Sequence, residues 1–273
     1  MSSDGFADVA GVVRRRSGIV LTDDKAYLLE TRLGPVLQKF GLASIGALGA
    51  KLRQRPDEQL ERAVVEALTT HESSFFRDGK PFDHLAKLLP RMLAPGRTGP
   101  LRIWSAACST GQEPYSIAML VADALAGRPG PKVEILATDI SGDVIGRAKM
   151  GVYTQFEVQR GLPIRSLVKY FKQDGAKWRI NPDLAAMVRF EERNLLADLS
   201  SLGKFDAIFC RNVLIYFDAP TKTRVLDALA KRLNPDGVLY LGGAETVLGL
   251  TDRLVPVSGE RGAYSVAEQR AAA

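Results

Sequence analysis

Cysteine and histidine are scarce in this chain of 273 residues, which contains only two of each. The cysteines, Cys108 and Cys210, are too few for a disulfide framework, and they do not cluster with the histidines at metal-ligand spacing. This scarcity excludes a disulfide-stabilised secreted domain and a zinc site built from these residue types. We expect a protein of the reducing cytoplasm that needs no metal.

Long apolar runs are also absent. No window approaches the ~18 consecutive apolar residues that a membrane span needs. The basic cluster Arg14–Arg16 follows an apolar patch instead of preceding one, unlike a secretory signal. Hydrophobic residues still make up 46% of the chain and charged residues 25%, which is ordinary for a globular protein. We expect no membrane insertion and a sizeable core.

The net charge of +6 is concentrated in one segment. Residues 146–180 contain eight Lys and Arg against two Asp and Glu, which equals the whole excess. Such a segment suits an acidic partner, although a solvated face explains it equally well. Within it, Tyr170–Lys172 and Trp178–Ile180 flank the five-residue turn Gln173–Lys177. The Asp-Gly in this turn predicts an antiparallel hairpin, which we interpret as a docking insertion at about 155–187.

The first 70 residues predict a small all-α domain. Leu60, Val64 and Leu68 recur on one face of a predicted helix, with charged residues opposite. The predicted helices are 6–13, 25–40, 45–52 and 58–68. Residues 71–82 have no helical pattern and are predicted to be a linker. Its adjacent Phe75 and Phe76 suit a packing plug, but a plug has no need of Arg77, so a site role for the arginine stays open.

Residues 83–273 predict an α/β domain, because strands and helices alternate. The predicted strands are 101–106, 133–138, 188–193, 205–210 and 237–243, and the predicted helices are 112–126, 142–149 and 219–233. This alternation is typical of a mostly parallel sheet that is covered on both faces and binds its ligand at the carboxyl ends of the strands.

Polar residues follow four of the predicted strands: Glu113, Asp139, Asn194 and Arg211–Asn212. Gly111, just before Glu113, gives the freedom that a turn needs where the backbone passes close to a ligand. This turn lacks the G-x-G-x-x-G spacing, so a pyrophosphate cradle is not indicated. A carboxylate at Glu113 suits an ammonium group or a sugar hydroxyl. Alternatively, it complements the positive end of a helix.

Several motifs together resemble the bacterial chemoreceptor glutamate O-methyltransferases, the CheR family. They are SFFRD, SAACSTGQEPYS, ATDIS, RNLL and FCRNVLIYFD, and the likeness runs from about Phe6 to about Tyr264. The resemblance implies a class I S-adenosylmethionine-dependent methyltransferase with a Rossmann-like sheet, a small N-terminal all-α domain and a small antiparallel β insertion. It further implies that the enzyme forms methyl esters on glutamate side chains of the cytoplasmic helices of chemoreceptors, in chemotactic adaptation, with S-adenosylhomocysteine as product.

The resemblance also implies roles for individual residues. The family's cofactor positions map onto His71, Ser73, Arg77, Glu113, Asp139, Asn194, Leu195, Arg211 and Asn212. Positions next to the transferred methyl group map onto Arg77, Arg211 and Tyr216. Core packing is the alternative for Tyr216. The family more often has Asn at the position of His71 and Thr at that of Ser73, and both residues present here keep a hydrogen-bonding group.

The short hairpin turn resembles the branch of the family that does not require a C-terminal pentapeptide tether on the receptor. We therefore expect the substrates to be receptors that lack this pentapeptide. We also expect the protein to be a monomer.

Two other classes of function stay open. A nucleic-acid methyltransferase would use the basic segment, but it needs a pocket for a flipped base, commonly built around Asn-Pro-Pro-aromatic. This chain has Arg211–Leu214 at that place, so we expect no nucleic-acid partner. A non-catalytic cofactor sensor or scaffold has no need of Arg77, Arg211 and Tyr216 together.

Overall fold

The computed structural model describes residues 5–267, and these residues divide into two compact units. The helical unit runs to Thr70 and also includes Tyr216–Lys222. The sheet unit comprises His71–Ile215 and the chain from Thr223 onward. The first four and last six residues, at the ends of the predicted domains 1–70 and 83–273, lie outside the described residues.

The helical unit forms because apolar residues recur at helical spacing between polar caps. Its α-helices are Phe6–Ser17 (α1), Ala26–Lys39 (α2), Ile45–Gln54 (α3) and Glu58–Leu68 (α4). Two starts are fixed by side chains, since Ser44 accepts a hydrogen bond from the Ala47 N–H and Asp57 accepts one from the Leu60 N–H. Fully buried side chains hold the helices together, among them Val9, Leu29, Leu33, Leu48, Leu60 and Val64.

The remaining strands and helices alternate along the chain. The strands are Leu101–Ala106 (β1), Val133–Asp139 (β2), Val152–Thr154 (β3), Phe171–Asp174 (β4), Lys177–Ile180 (β5), Val188–Glu192 (β6), Phe205–Cys210 (β7), Leu233–Leu241 (β8), Leu254–Pro256 (β9) and Ala263–Val266 (β10). The helices are Lys80–Met92 (α5), Gln112–Leu125 (α6), Gly142–Met150 (α7), Gln155–Gln159 (α8), Ile164–Tyr170 (α9), Pro182–Ala185 (α10) and Ala219–Ala230 (α11).

The main sheet has the strand order β6-β2-β1-β7-β8-β10-β9. The first five of these strands are parallel, while β10 runs antiparallel to β8 and β9 antiparallel to β10. The predicted mostly parallel sheet is thereby confirmed. At the centre, Ala106 of β1 is level with Thr138 of β2 on one side and Cys210 of β7 on the other. The carboxyl ends of these three strands therefore lie side by side.

The predicted insertion forms a second, antiparallel sheet with the order β3-β5-β4. Asp174 pairs with Lys177, which leaves Gly175 and Ala176 as the connection between β4 and β5. The turn is therefore two residues long instead of the expected five, with Gly175 at φ 61°. The third strand, β3, precedes the start of the predicted insertion at 155.

Other predicted bounds also need correction. The linker 71–82 is not free of helix, because α5 begins at Lys80, behind Gly79 with its φ of 59° and with Pro81 in the first turn. The predicted helix 219–233 ends at Ala230, since Leu233 already pairs with Phe205 as part of β8. The short antiparallel strands β9 and β10 were not predicted.

None of the helices within residues 5–267 has both the length and the apolar character that crossing a bilayer requires.

Candidate active site

The turn after β1 is a tightly constrained piece of backbone. Ala107, Ser109 and Gly111 have φ values of 65°, 51° and 94°. A Cβ atom at Gly111 would lie 3.0 Å from Ala148 Cβ and from Tyr153 Oη, and the positive φ adds strain for any other residue. The turn conformation and the packing against Ala148 and Tyr153 therefore both favour glycine here.

Asp139, at the end of β2, holds this turn from the neighbouring strand. It is 5% exposed. Its carboxylate accepts the Ser109 N–H at 2.9 Å and the Ser141 N–H at 3.1 Å, and His71 Nε2 lies 4.0 Å away. Burial raises the pKa of the Asp139 carboxyl, and the backbone N–H donors oppose that rise. A carboxylate has about four lone-pair positions, so further donors can still bind.

Glu113, in the first turn of α6, forms a buried ion pair with Arg211, which follows β7. Arg211 Nη1 donates to Glu113 Oε2 at 3.1 Å, and Ser105 Oγ donates to Oε1 at 2.7 Å. Burial raises the pKa of the Glu113 carboxyl, while the Arg211 charge and the Ser105 hydroxyl oppose the rise. Glu113 therefore does more than complement a helix end, since it is bonded to the next strand of the sheet.

Arg211 bridges three parts of the sheet unit. Its Nη2 donates at 2.7 Å both to the Arg77 carbonyl oxygen and to Asp78 Oδ2. Its side chain is only 2% exposed, and its guanidinium lies over the Phe82 ring at 5.6 Å. Protein acceptors thus engage both terminal nitrogens of Arg211, a residue that the family resemblance places next to the transferred methyl group. As the structure stands, Arg211 fixes the linker to the strand ends.

The linker between the two units carries three predicted site residues. The His71 carbonyl oxygen accepts a hydrogen bond from Ser109 Oγ at 3.0 Å. Ser73 is half-buried, and Arg77 Nη1 donates to the Glu72 carbonyl oxygen at 3.0 Å.

Two neighbouring phenylalanines anchor the linker. Phe75 is fully buried against Tyr153 and Phe171, with ring centroids 5.0 and 5.6 Å away. Phe76 packs on Phe82 at 5.4 Å. The phenylalanines are thus the packing plug, and they hold Arg77 beside Arg211.

Asn194 and Leu195 follow β6 at the next strand end. The Arg193 N–H donates to the Asp139 carbonyl oxygen at 2.7 Å, which ties this segment to β2. Asn194 Oδ1 accepts the Leu196 N–H at 2.9 Å, and Leu195 is buried. The segment therefore continues the row of strand ends beyond Asp139.

Glu245 organises the loop after β7. It is 8% exposed, and its carboxylate accepts five backbone N–H groups at 2.6 to 3.3 Å. The donors are Asn212, Val213, Leu214, Ile215 and Gly242. Asn212 has a φ of 59°, a conformation that few residues other than glycine and asparagine adopt readily. Glu245 therefore fixes the backbone that presents Arg211 and Asn212.

Tyr216 differs from the other predicted site residues. It ends a 3₁₀ helix, Leu214–Tyr216, and by its contacts it belongs to the helical unit, where its carbonyl oxygen accepts the Val20 N–H at 2.9 Å. The other nine predicted residues all lie in the sheet unit.

Two family models match the chain. Residues 4–69 match the model described as CheR methyltransferase, all-alpha domain, and residues 71–263 match CheR methyltransferase, SAM binding domain. The chain belongs to the CheR methyltransferase family. The resemblance seen in the sequence is thus confirmed, and so is S-adenosylmethionine as the cofactor.

Curated relatives agree with this membership over nearly the full chain. The chain is 42% identical to chemotaxis protein methyltransferase 1 of Vibrio cholerae, and the match covers 93% of both chains. It is 39% identical to chemotaxis protein methyltransferase Cher2 of Pseudomonas putida, with 88% of this chain and 89% of the relative covered. For the chemotaxis protein methyltransferase of Escherichia coli, the identity is 37% and the coverage 93% and 88%.

The strand ends of this CheR protein fit such a cofactor chemically. Asn212 Oδ1 is buried and has no hydrogen-bond partner within residues 5–267, so it can accept a hydrogen bond from a ligand. Asp139 keeps acceptor capacity that ribose hydroxyls can use. Within the same described residues, no group of three or more His, Cys, Asp or Glu side chains could hold a metal ion.

Two residues of the candidate site, Asp78 and Glu245, were not predicted from the sequence. Asp78 lies in the SFFRD motif, but nothing local indicates that it pairs with a residue 133 positions away. Glu245 follows an apolar strand in Leu-Gly-Gly-Ala-Glu, and an acidic residue directly after a strand was the available signal.

Proposed function

We propose that this protein uses S-adenosylmethionine to form methyl esters on glutamate side chains of the cytoplasmic helices of bacterial chemoreceptors, in chemotactic adaptation. The observation that supports this most is that Glu113, Asp139 and Arg211 lie together at adjacent strand ends in a chain of the CheR family. Such a crevice at the carboxyl ends of parallel strands is where α/β proteins bind their ligands.

The acceptor needs no general base. A glutamate titrates near ~4.3, so it is already an ionised nucleophile at neutral pH. S-adenosylmethionine supplies the methyl group from its sulfonium centre. The protein's task is to place the acceptor carboxylate in line with that group, because proximity alone can lower such a barrier substantially.

The two cysteines have no part in this chemistry. Both are buried, and burial raises the pKa of the Cys108 and Cys210 thiols well above the usual range. They therefore stay protonated at neutral pH and do not act as nucleophiles.

Individual tasks follow from the contacts of each residue. We assign Asp139 to the ribose hydroxyls and Asn194 with Leu195 to the adenine. Asn212, His71 and Ser73 complete the polar lining of the cofactor site. We assign Glu113 to binding the cofactor's amino group, and the same carboxylate holds Arg211 in place.

Three residues are proposed to lie next to the transferred methyl group: Arg77, Arg211 and Tyr216. The Arg211 Nη2 bond to the Arg77 carbonyl oxygen supports joint action of the two arginines. We assign Arg77 to a carboxylate, either of the cofactor or of the substrate, because a guanidinium can bind both carboxylate oxygens at once.

We propose that three segments of the chain have separate roles. Residues 1–70 form the helical domain, residues 71–82 contribute to the cofactor site, and residues 83–273 form the methyltransferase domain with its inserted β subdomain. The protein acts as a monomer in the cytoplasm.

Receptors without a C-terminal pentapeptide tether are the proposed substrates. The two-residue connection at Gly175 and Ala176 supports this. Family members that hold the pentapeptide look to have a longer hairpin loop that contains glycine. Calorimetric titration of the free pentapeptide is expected to give weak or no binding. Micromolar binding would contradict the assignment.

Incubation with tritiated S-adenosylmethionine tests the proposed function. With receptor-containing membranes the expected result is label on the receptor that alkali releases, because alkali hydrolyses methyl esters. Label on added nucleic acid would indicate a nucleic-acid methyltransferase instead. Tight cofactor binding with no transfer would indicate a sensor or scaffold.

A further inference from the structure

Two adjoining cavities lie at the carboxyl end of β8, on the side away from β1. One has a volume of about 390 Å³ and the other of about 280 Å³. They share Gly243, Arg261 and Gly262 as lining residues, and Lys80 at the start of α5 lines the smaller one. We name the two cavities together the Lys80–Arg261 pocket. Each is large enough to hold an acidic side chain.

The acidic groups of the pocket are already occupied. Asp78 Oδ2 accepts Arg211 Nη2 at 2.7 Å, and the Glu245 carboxylate is surrounded by backbone N–H donors. Neither carboxylate therefore offers its full charge to the cavity.

The two basic groups of the pocket, by contrast, are not neutralised by ion pairs within the described part of the chain. Lys80 and Arg261 are exposed, and neither forms an ion pair with a carboxylate of residues 5–267. Arg261 Nη2 makes a long hydrogen bond of 3.4 Å to the Gly243 carbonyl oxygen. Lys87 binds the half-buried Glu260 at 3.1 Å and lowers the pKa of its carboxyl, and the charges of His84 and Lys80 lower that pKa further. Lys80 and Arg261 are thus the charged lining residues that can bind an incoming anion.

The pocket directly adjoins the candidate active site. Asp78 both lines the cavity and holds Arg211. On the other wall, Glu245 accepts N–H groups from Gly242, which lines the cavity, and from Asn212. Asp78 therefore separates a group bound in the pocket from Arg211.

The pocket does not suit the glutamate that is methylated. That carboxylate loses its charge in the reaction, and two cations would stabilise it more in the ground state than in the transition state. A carboxylate that stays charged throughout gains from the same two cations without slowing the reaction.

We infer that Lys80 and Arg261 form a subsite for the carboxylate of a second acidic side chain of the protein substrate, next to the glutamate that is methylated. This inference depends on the proposed function, because it assumes an acidic receptor helix as substrate. The subsite selects among receptor glutamates by their neighbours, and it contributes to substrate binding more than to the chemical step.

The test uses the full-length protein with Lys80→Gln, Arg261→Gln and the double variant. Arg91→Gln is the matched control, because Arg91 is on the same helix, carries the same charge and lines neither cavity. The substrate is a receptor cytoplasmic fragment that the wild-type protein methylates. Each pocket substitution is expected to raise KM for the fragment about fivefold, the size of one exposed ion pair. The kcat and the affinity for S-adenosylhomocysteine stay unchanged, and Arg91→Gln behaves as wild type.

A substrate variant makes the test specific. Acidic residues that flank the methylated glutamate are replaced one at a time by glutamine, and one replacement is expected to raise KM for the wild type but not for the double variant. The inference is overturned if the pocket variants keep the wild-type KM, or if every fragment variant loses the same factor with both proteins. If the wild-type protein methylates no receptor fragment, the proposed function itself is wrong and the inference falls with it.

Discussion

Each unit contains a nearly buried glutamate bound to arginine, but the surroundings of the two pairs differ. In the helical unit Glu61 is 4% exposed. It is bound by Arg15 and Arg16, whose side chains are 63% and 43% exposed. In the sheet unit Glu113 is 8% exposed, and the Arg211 side chain beside it is only 2% exposed.

Solvent makes these two clusters energetically unequal. Around Glu61 the positive charges remain hydrated, so each arginine can be lost with little effect. Glu113 and Arg211 are both shielded from water, so removal of one charge leaves the other buried and uncompensated. The pair at the strand ends therefore holds its two charges in fixed positions away from water, whereas Glu61 on the helices has hydrated partners.

The largest expected effect follows from loss of the Arg211 charge. Arg211→Gln leaves Glu113 without its cation, so we expect the free energy of unfolding to fall by about 3 to 5 kcal/mol. Methyl transfer should fall by at least about a thousandfold, since a buried ionic contact in the site is lost along with its position. Urea unfolding and kcat/KM measure the two effects.

Arg211→Lys separates charge from geometry. A lysine keeps the charge but cannot donate to Glu113, the Arg77 carbonyl and Asp78 with a rigid fork. We expect most of the stability to return while methyl transfer stays low. Full recovery of kcat/KM would mean that the bridging geometry of Arg211 is irrelevant.

Glu245→Gln comes next in size. The amide replaces one acceptor oxygen by a donor, so several of the five backbone N–H groups lose their partner. We expect the free energy of unfolding to fall by about 2 kcal/mol. Asn212 is released with its loop, so weaker S-adenosylhomocysteine binding in calorimetry should accompany the loss. Unchanged binding would show that Glu245 stabilises the fold without positioning the site.

The pH dependence of Glu113 gives a third, smaller effect. Burial raises the pKa of this carboxyl, so its contribution to folding stability is full below the unfolded value of ~4.3 and is lost as pH rises through the raised pKa. The pH dependence of activity has the opposite sign, because only the ionised Glu113 carboxylate forms an ion pair with Arg211. The kcat/KM of the wild type should therefore fall as pH drops through the raised pKa.

Glu113→Gln is the control for this profile. Asp139, whose pKa burial also raises, is present in both proteins, so the difference between the two profiles isolates Glu113. The variant should be less active at neutral pH and lose less on acidification. Parallel profiles would contradict a role for the ionised Glu113.

The smallest expected effect belongs to the helical unit. Arg15→Gln removes one exposed arginine from Glu61 while Arg16 stays in place, so the free energy of unfolding should fall by at most about 1 kcal/mol. S-adenosylhomocysteine affinity should not change. A loss as large as that of Arg211→Gln would remove the distinction between the two clusters.

Local patterns were enough to predict most of the fold. Helix α4 was predicted with its correct bounds, because Asp57 caps it and its apolar residues lie on one face. Strands β1 and β7 were also predicted with their correct bounds, as buried apolar runs. Helix α5 was missed, because Gly79 and Pro81 resemble a loop although they also suit a helix start. The short strands β9 and β10 have too few residues to show a period.

The candidate site was less predictable, because its contacts join distant parts of the chain. Polar residues at strand ends could be picked out, since parallel topology brings such ends together. The bond from Arg211 to Glu113 spans 98 positions, and no local pattern encodes it. The same holds for Glu245, whose five donors are backbone groups that any residue would supply.

Calorimetric titration of S-adenosylhomocysteine into the wild type and Asp139→Ala tests most directly whether the strand ends bind the cofactor. We expect one site per chain in the wild type and at least about tenfold weaker binding in the variant, because a charge-assisted contact to the ligand is lost. Equal binding by the two proteins, with the variant still folded, would contradict it.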